Sequence, residues 1–193
     1  MTQVISVGQG TAARGIAVLA REGGGPPVVW LCGFRSEMRS IKATALDRWA
    51  EARGRALVRF DYTGHGESGG AFETSGISQW IEDTLAVLAH FVPERPILVG
   101  SSMGGWIALL ATRELLRNAS GRAPAGLVLI APAVDFTERL MWHQFPEDIR
   151  RAITANGVYH RPSAYGDAPY PITRALIEDG RRHLLYGAPV ATG

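Results

Sequence analysis

The stretch at residues 97–106, ILVGSSMGGW, joins an apolar strand pattern to a helix pattern through two serines flanked by glycines. The pattern G-x-S-x-G fits it in only one register, with Gly100, Ser102 and Gly104 at the fixed positions. A serine at a sharp strand-to-helix turn needs small neighbours, and its hydroxyl then stands at the positive end of the helix dipole. We therefore predict that Ser102 is a nucleophile and that the Met103 N–H can bind an oxyanion. In the alternative interpretation, the small residues only let the helix pack closely on its strand.

Short apolar runs alternate with longer helical patterns on both sides of this stretch. Helices are predicted at residues 41–52, 77–91 and 104–118, and GGGPP at 23–27 is interpreted as only a turn. The predicted strands are 3–7, 15–20, 28–32, 56–60, 97–100 and 126–132, the first two as a hairpin. This alternation predicts an α/β fold with a mainly parallel sheet and helices on both faces. Ligands of such sheets bind at the carboxyl ends of the strands, here at residues 33–34, 61, 102 and 133–135.

A second oxyanion donor is expected in the loop CGFRSEM at residues 32–38, which follows the strand 28–32. Gly33 allows a tight turn there, and the Phe34 N–H is then able to point at the serine. The alternative is an ordinary strand-to-helix loop. With the serine motif present, we favour the oxyanion role for Phe34.

The segment RFDYTGHGESGG at residues 59–70, together with GFRSEM and VGSSMGGW, resembles the α/β-hydrolase superfamily. With GVYHRPSAY at 157–165 and HLLYGAPVATG at 183–193 the resemblance spans nearly the whole chain. Within the superfamily it is closest to the branch of acyl-protein thioesterases (depalmitoylases) and acyl-glucuronide esterases. The resemblance implies Ser102 as nucleophile and Phe34 and Met103 as oxyanion donors. It also implies that the loop with His65 shapes the rim of the sheet, so His65 is not favoured as a base.

A serine nucleophile needs a histidine base and an acid that orients it, and in this fold they follow the serine in the order acid, histidine. After Ser102 come His143, His160 and His183, and for each of them a structural role is the better interpretation. His160 is expected in a short hairpin or loop, and His183 near a helix end. Asp135 is an alternative acid, but without a clear histidine partner.

The resembling family places the acid after a seventh strand and the histidine after an eighth, whereas this chain stops at GAPVATG. We therefore expect a single α/β-hydrolase domain at 1–193 that is truncated at its C-terminus by about 60–70 residues, with the acid and histidine beyond Gly193. The strand 126–132 would then be an exposed sheet edge, which favours marginal stability or association.

A lid insertion is expected at about residues 136–185, where aromatic and proline residues alternate. Such a lid suits an apolar acyl or aryl group, although a packed cap without a role in selectivity is about equally compatible. Its aromatic residues, together with Tyr186 just past its end, are Trp142, Phe145, Tyr159, Tyr165, Tyr170 and Tyr186.

The bulk composition excludes several classes of function. The net charge of +2 on 193 residues, with dispersed Lys and Arg, does not favour a nucleic-acid partner. One cysteine, no signal-peptide pattern and no apolar run of membrane-span length indicate a cytoplasmic location without a membrane span. No cofactor loop or metal-ligand spacing is present, so none is expected.

These patterns together predict a serine hydrolase whose substrate is a small-molecule or acyl-protein ester or thioester. The competing hypothesis is a non-catalytic protein of the same fold that binds a small molecule or a partner. The intact serine turn argues against a pure binder, which has no need of it. Covalent labelling of Ser102 by a fluorophosphonate would discriminate the two.

Overall fold

The computed structural model describes residues 1–117, 123–162 and 169–192. Its main sheet has six strands in the order β1-β2-β4-β3-β5-β6. Their bounds are β1 (Gln3–Val7), β2 (Arg14–Arg21), β3 (Gly24–Leu31), β4 (Arg55–Phe60), β5 (Ile97–Ser101) and β6 (Gly126–Ile130). β1 and β2 form an antiparallel hairpin, and β2 is also antiparallel to β4. The neighbours among β3 to β6 pair in parallel, which confirms the predicted sheet.

Three helices flank the sheet close to the predicted bounds: α1 (Ile41–Ala52), α2 (Ile77–Phe91) and α3 (Met103–Arg117). α2 follows the predicted periodicity because one face buries apolar side chains, among them Ile77, Trp80 and Val87. α3 packs on β3, β5 and β6, and α2 packs on α3 and on the hairpin. Asn118, the last residue of the third predicted helix, lies outside the described residues.

Two predicted strand boundaries were wrong. The run at 23–27 is not only a turn, because β3 begins at Gly24 and the register shifts between Gly24 and Val28. A bulge of this kind accommodates two prolines that cannot donate to the ladder. β6 ends at Ile130 rather than at residue 132, since Ala131 has a φ of +44° and Pro132 has no N–H.

β6 is an edge of the sheet, and within the described ranges no strand pairs with its outer side. The side chains of Val128 and Ile130 are 47% and 39% exposed. Such an edge is open to further pairing. The expected marginal stability or association of this chain stays a prediction.

The chain after β6 forms α4 (Glu147–Asn156), a hairpin of β7 (Val158–Arg161) and β8 (Tyr170–Thr173), and α5 (Arg174–Arg181). His160 lies on β7 opposite Pro171, which confirms its expected place in a hairpin. The rings of Phe136 and Tyr170 lie 5.3 and 6.2 Å from the ring of Phe34, just after β3. This part of the chain therefore contacts the carboxyl end of the parallel sheet. Tyr165 lies outside the described residues.

Candidate active site

Ser102 stands between the last residue of β5 and the first residue of α3. Its φ is +54°, a left-handed value that a non-glycine residue adopts only where the surrounding structure enforces it. A β-carbon at Gly100 would lie 2.5 Å from the carbonyl carbon of Gly104 and 2.7 Å from the Gly105 Cα. One at Gly104 would lie 2.6 Å from the Cys32 carbonyl oxygen. The two glycines of the motif are therefore needed so that the turn can close.

Hydrogen bonds fix the backbone of Ser102 on both sides. Its N–H donates to the Ile130 carbonyl at 3.0 Å, and its carbonyl accepts from the N–H groups of Gly105 at 2.9 Å and Ala133 at 3.0 Å. The residue is nevertheless exposed, and Oγ makes no hydrogen bond to the described residues. Ser101 is buried. Of the two adjacent serines, Ser102 is the one that solvent or a substrate can reach.

The two segments that carry the predicted oxyanion donors lie beside this serine. Met103 is the first residue of α3, where an N–H has no acceptor within the helix. A β-carbon on Gly33 would be 3.4 Å from Ser102 Cβ and 4.0 Å from Oγ, so the loop after β3 passes directly next to the serine. Within the described ranges, neither the Phe34 nor the Met103 N–H donates to a protein acceptor. Both amides are thus available to a negatively charged oxygen.

The glycine-rich loop after β4 is held by buried carboxylates. Asp61 accepts from the N–H groups of Met38 at 2.6 Å and Glu67 at 2.8 Å, which ties this loop to the loop after β3. Burial raises the pKa of Asp61, and these two N–H groups oppose the rise. Asp83 accepts from the N–H and hydroxyl of Thr63 at 2.8 and 2.7 Å and pairs with Arg14 at 2.7 Å. The loop therefore has a fixed shape at the rim of the sheet.

None of the five histidines, all of them in the described ranges, makes a hydrogen bond to Ser102. His65 is buried and bonded to the loop after β3, and burial lowers its pKa to about 4. His143 pairs with Glu138 at 3.1 Å, and His183 Nε2 lies 2.7 Å from Ser78 Oγ. The structural roles predicted for the histidines after Ser102 agree with these contacts.

Asp135, the alternative acid, uses its carboxylate for structural hydrogen bonds. It is 1% exposed and adopts a φ of +56° at the turn after β6. Its two carboxylate oxygens accept from the N–H groups of Leu185 and Tyr186, each at 2.9 Å. No histidine hydrogen-bonds to it among the described residues. In this structure, Asp135 holds the segment after α5 against the sheet.

Asp135→Asn should therefore lower the stability of the fold. The NH2 group of the asparagine would face the N–H of either Leu185 or Tyr186, so that N–H would lose its acceptor. We expect a loss of about 2 kcal/mol in the free energy of unfolding, measured by urea denaturation. Glu94→Gln, a change at an exposed carboxylate before β5, serves as the control and should leave the midpoint unchanged. Equal midpoints for the two variants would contradict the anchoring role of Asp135.

A cavity of about 540 Å³ opens beside the loop after β3. Its wall includes His65, Phe72 and Tyr170, and the Arg35 guanidinium carbon lies 4.4 Å from the centre of the Tyr170 ring. Glu37 and Glu73 also line it. The cavity thus combines aromatic surface with charges of both signs next to the predicted oxyanion loop.

The chain shares its sequence pattern with a known family of proteins. The family model described as "Serine aminopeptidase, S33" matches residues 27–163, which include both loops and the serine turn. The chain belongs to the serine aminopeptidase S33 family of hydrolases. It has the α/β-hydrolase fold, as the sequence motifs predicted.

A curated relative of this S33 chain is the human mitochondrial palmitoyl-protein thioesterase ABHD10, 31% identical over 170 residues. The match covers 88% of this chain and 54% of the relative, so the chain spans about half the length of the curated relatives it matches. The resemblance to the acyl-protein thioesterase branch is thereby confirmed.

Two solved structures extend the comparison. A putative hydrolase from Agrobacterium vitis S4 is 46% identical with a TM-score of 0.95, over 100% of this chain and 76% of that one. Mouse alpha/beta hydrolase domain-containing protein 10 is 27% identical with a TM-score of 0.81, over 98% and 74%. The structural neighbours thus have the same fold that the sequence motifs predicted.

The described part of the chain holds no candidate for two other kinds of site. No helix there is long and apolar enough to cross a membrane. No group of three or more His, Cys, Asp or Glu side chains is placed to hold a metal ion there.

Proposed function

We propose that this protein is a serine hydrolase that cleaves carboxylic esters or thioesters through an acyl-enzyme on Ser102. The observation that carries the proposal is the exposed Ser102 at a φ of +54°, at the N-terminus of a 15-residue helix. Ser102 Oγ attacks the acyl carbon while a base takes its proton, and the Phe34 and Met103 N–H groups stabilise the oxyanion. The alcohol or thiol leaves with a proton, and water then releases the acid.

The base is the part of this mechanism that the described contacts do not supply. The five histidines lie elsewhere, and both oxygens of Asp135 are engaged by backbone N–H groups. Ser102 and the two amides therefore form a nucleophile and an oxyanion site that require an imidazole. A free imidazole in solution is a direct substitute for it.

The substrate proposal rests on the aromatic surface around the loop after β3. The Phe34 ring contacts those of Phe72, Phe136 and Tyr170, two of them from the chain after β6. Residues 136–185 are proposed as a lid over an apolar acyl or aryl group. The name of the human relative, a palmitoyl-protein thioesterase, supports an acyl thioester, with a small molecule or an acylated protein as the substrate.

The location of the protein is also a proposal. The residues favour the cytoplasm, whereas the name of the human relative assigns that protein to the mitochondrion. Imaging of the tagged protein in its own cells would decide between the two.

The function is tested by hydrolysis of p-nitrophenyl butyrate and of an S-acyl thioester at increasing imidazole concentration. The Ser102→Ala variant measures the reaction of imidazole alone. A positioned base contributes about 10²–10⁴-fold, and a free one less, so we expect about a tenfold gain over Ser102→Ala. Peptide mass spectrometry should find the acyl group on Ser102.

Equal rates for the two proteins at every imidazole concentration, without an acyl adduct, would overturn the proposal. That result would favour the competing function, a non-catalytic protein that binds a ligand in the cavity of about 540 Å³. Circular dichroism of both proteins must first give the same folded spectrum.

A further inference from the structure

His65 is buried in the glycine-rich loop, and its two ring nitrogens have different partners. Nδ1 lies 3.1 Å from the Thr63 carbonyl oxygen, and Nε2 accepts from the Arg35 N–H at 3.2 Å. A carbonyl oxygen only accepts, so Nδ1 carries the proton and Nε2 presents a lone pair. The ring is therefore the neutral Nδ1–H tautomer, and its Nε2 lone pair accepts from the loop after β3.

The Arg35 N–H belongs to a turn that contains the predicted oxyanion donor. The Ser36 N–H donates to the Gly33 carbonyl at 3.0 Å, so Phe34 and Arg35 are the two central residues of this turn. Arg35 has a φ of +57°, the left-handed value that the third residue of a type II turn adopts, usually as glycine. An arginine in this conformation needs an outside contact that favours it. His65 Nε2 provides that contact.

The imidazole ring is itself held in place by aromatic neighbours. Its centroid lies 5.8 Å from that of Tyr62, 5.2 Å from that of Phe72 and 5.3 Å from that of Trp80. The indole N–H of Trp80 donates to the same Thr63 carbonyl at 3.1 Å. The ring therefore has little freedom to follow the turn if the turn moves.

We infer that His65 is a positioning residue: by holding the Arg35 N–H it anchors the turn at residues 33–36 and limits the movement of the adjacent Phe34 N–H, the predicted oxyanion donor. The inference rests on the proposed function, because the Phe34 amide has an oxyanion role only if Ser102 is acylated. Reversal of the peptide between Phe34 and Arg35 would turn a carbonyl oxygen toward the Nε2 lone pair. Neutral His65 therefore disfavours this reversal and holds the peptide that directly follows Phe34.

The ring keeps this role over the whole neutral range. Burial lowers the pKa of His65 to about 4, and the charge of Arg35 adds to that decrease. Below that pH, Nε2 becomes a donor and repels the Arg35 N–H, so the turn loses its contact. Arg35, Glu37, Glu73 and Tyr170 line the same cavity as the ring, and Tyr62 contacts it. Asp83 accepts from the N–H of Thr63, whose carbonyl oxygen bonds to the ring.

The kinetic test compares three variants in the imidazole-assisted ester assay. His65→Leu keeps apolar bulk but removes the acceptor, and we expect kcat about tenfold lower at unchanged KM. His65→Gln offers a side-chain oxygen to the same N–H and should restore most of kcat. His90→Leu, at an exposed position near the end of α2, is the matched control and should leave kcat unchanged.

The second readout does not depend on activity. In nitrogen-15 NMR spectra the Arg35 amide signal should titrate with the lowered pKa of His65, about 4, and should not do so in His65→Gln. Two results would overturn the positioning role alone. One is a folded His65→Leu variant with wild-type kcat, and the other is an Arg35 amide signal that titrates identically in the wild type and in His65→Gln. If the wild type hydrolyses the ester no faster than Ser102→Ala, the proposed function is overturned. The turn at residues 33–36 then has no catalytic role.

Discussion

Ser102→Cys should give a thiol that iodoacetamide alkylates at least about 100-fold faster than the native Cys32 of the same chain. The new thiol is exposed at the N-terminus of α3, where the helix dipole and the free Met103 N–H stabilise a thiolate. Cysteines in this setting have a pKa of about 3.5–7.5 instead of about 8.5. Cys32 is fully buried, and burial raises its pKa strongly, so it stays a thiol.

The pH dependence of alkylation gives the sharper measurement. A lower pKa also makes a thiolate a weaker nucleophile, so the rate at one pH understates the effect of the helix. Ser6→Cys, at an exposed position on β1, is the control with an ordinary pKa. If both new thiols titrate at the same pH, the serine turn does not create the electrostatic setting that the mechanism requires.

Much of the fold could be predicted because local patterns and tertiary packing agree. The bounds of α1 and α2 match the prediction to the residue. The alternation of strands and helices along the chain correctly predicted a mainly parallel sheet. The errors fell where backbone conformation departs from the local pattern. A bulge starts β3 at Gly24, and a left-handed Ala131 ends β6 early, and neither is visible in hydrophobic periodicity.

The candidate nucleophile could be located in the sequence for a different reason. G-x-S-x-G is a steric requirement of one turn, so the motif indicates Ser102 without any tertiary information. The contact of His65, by contrast, could not be predicted from the sequence. Its contact to the Arg35 N–H joins loops 30 residues apart, and the sequence offers only a histidine beside glycines. A non-glycine residue at a positive φ, such as Arg35, leaves no signature in the sequence that would identify its partner.

Gly104→Ala should prevent folding or lower stability by more than about 3 kcal/mol. The added β-carbon would overlap the Leu31 carbonyl oxygen and lie 2.6 Å from that of Cys32, and both belong to backbone that cannot move without separating α3 from β3. Gly126→Ala is the matched control, since the nearest atoms to its β-carbon are Ile97 side-chain carbons at 3.9 Å. Both changes reduce the entropy of the unfolded chain equally. Alanine is the better helix former, which favours the Gly104 variant, so a lower urea midpoint for that variant must come from packing.

Similar midpoints for the two alanine variants would contradict the close packing of α3 on β3. The expected difference also bears on the interpretation of the motif. Gly104 is required wherever a helix lies this close to its strand, with or without chemistry, so the glycines alone do not distinguish a hydrolase from a binding protein. We propose that Ser102 itself distinguishes them, because close packing gives no reason for an exposed hydroxyl at a φ of +54° beside two amides that donate to no acceptor among the described residues.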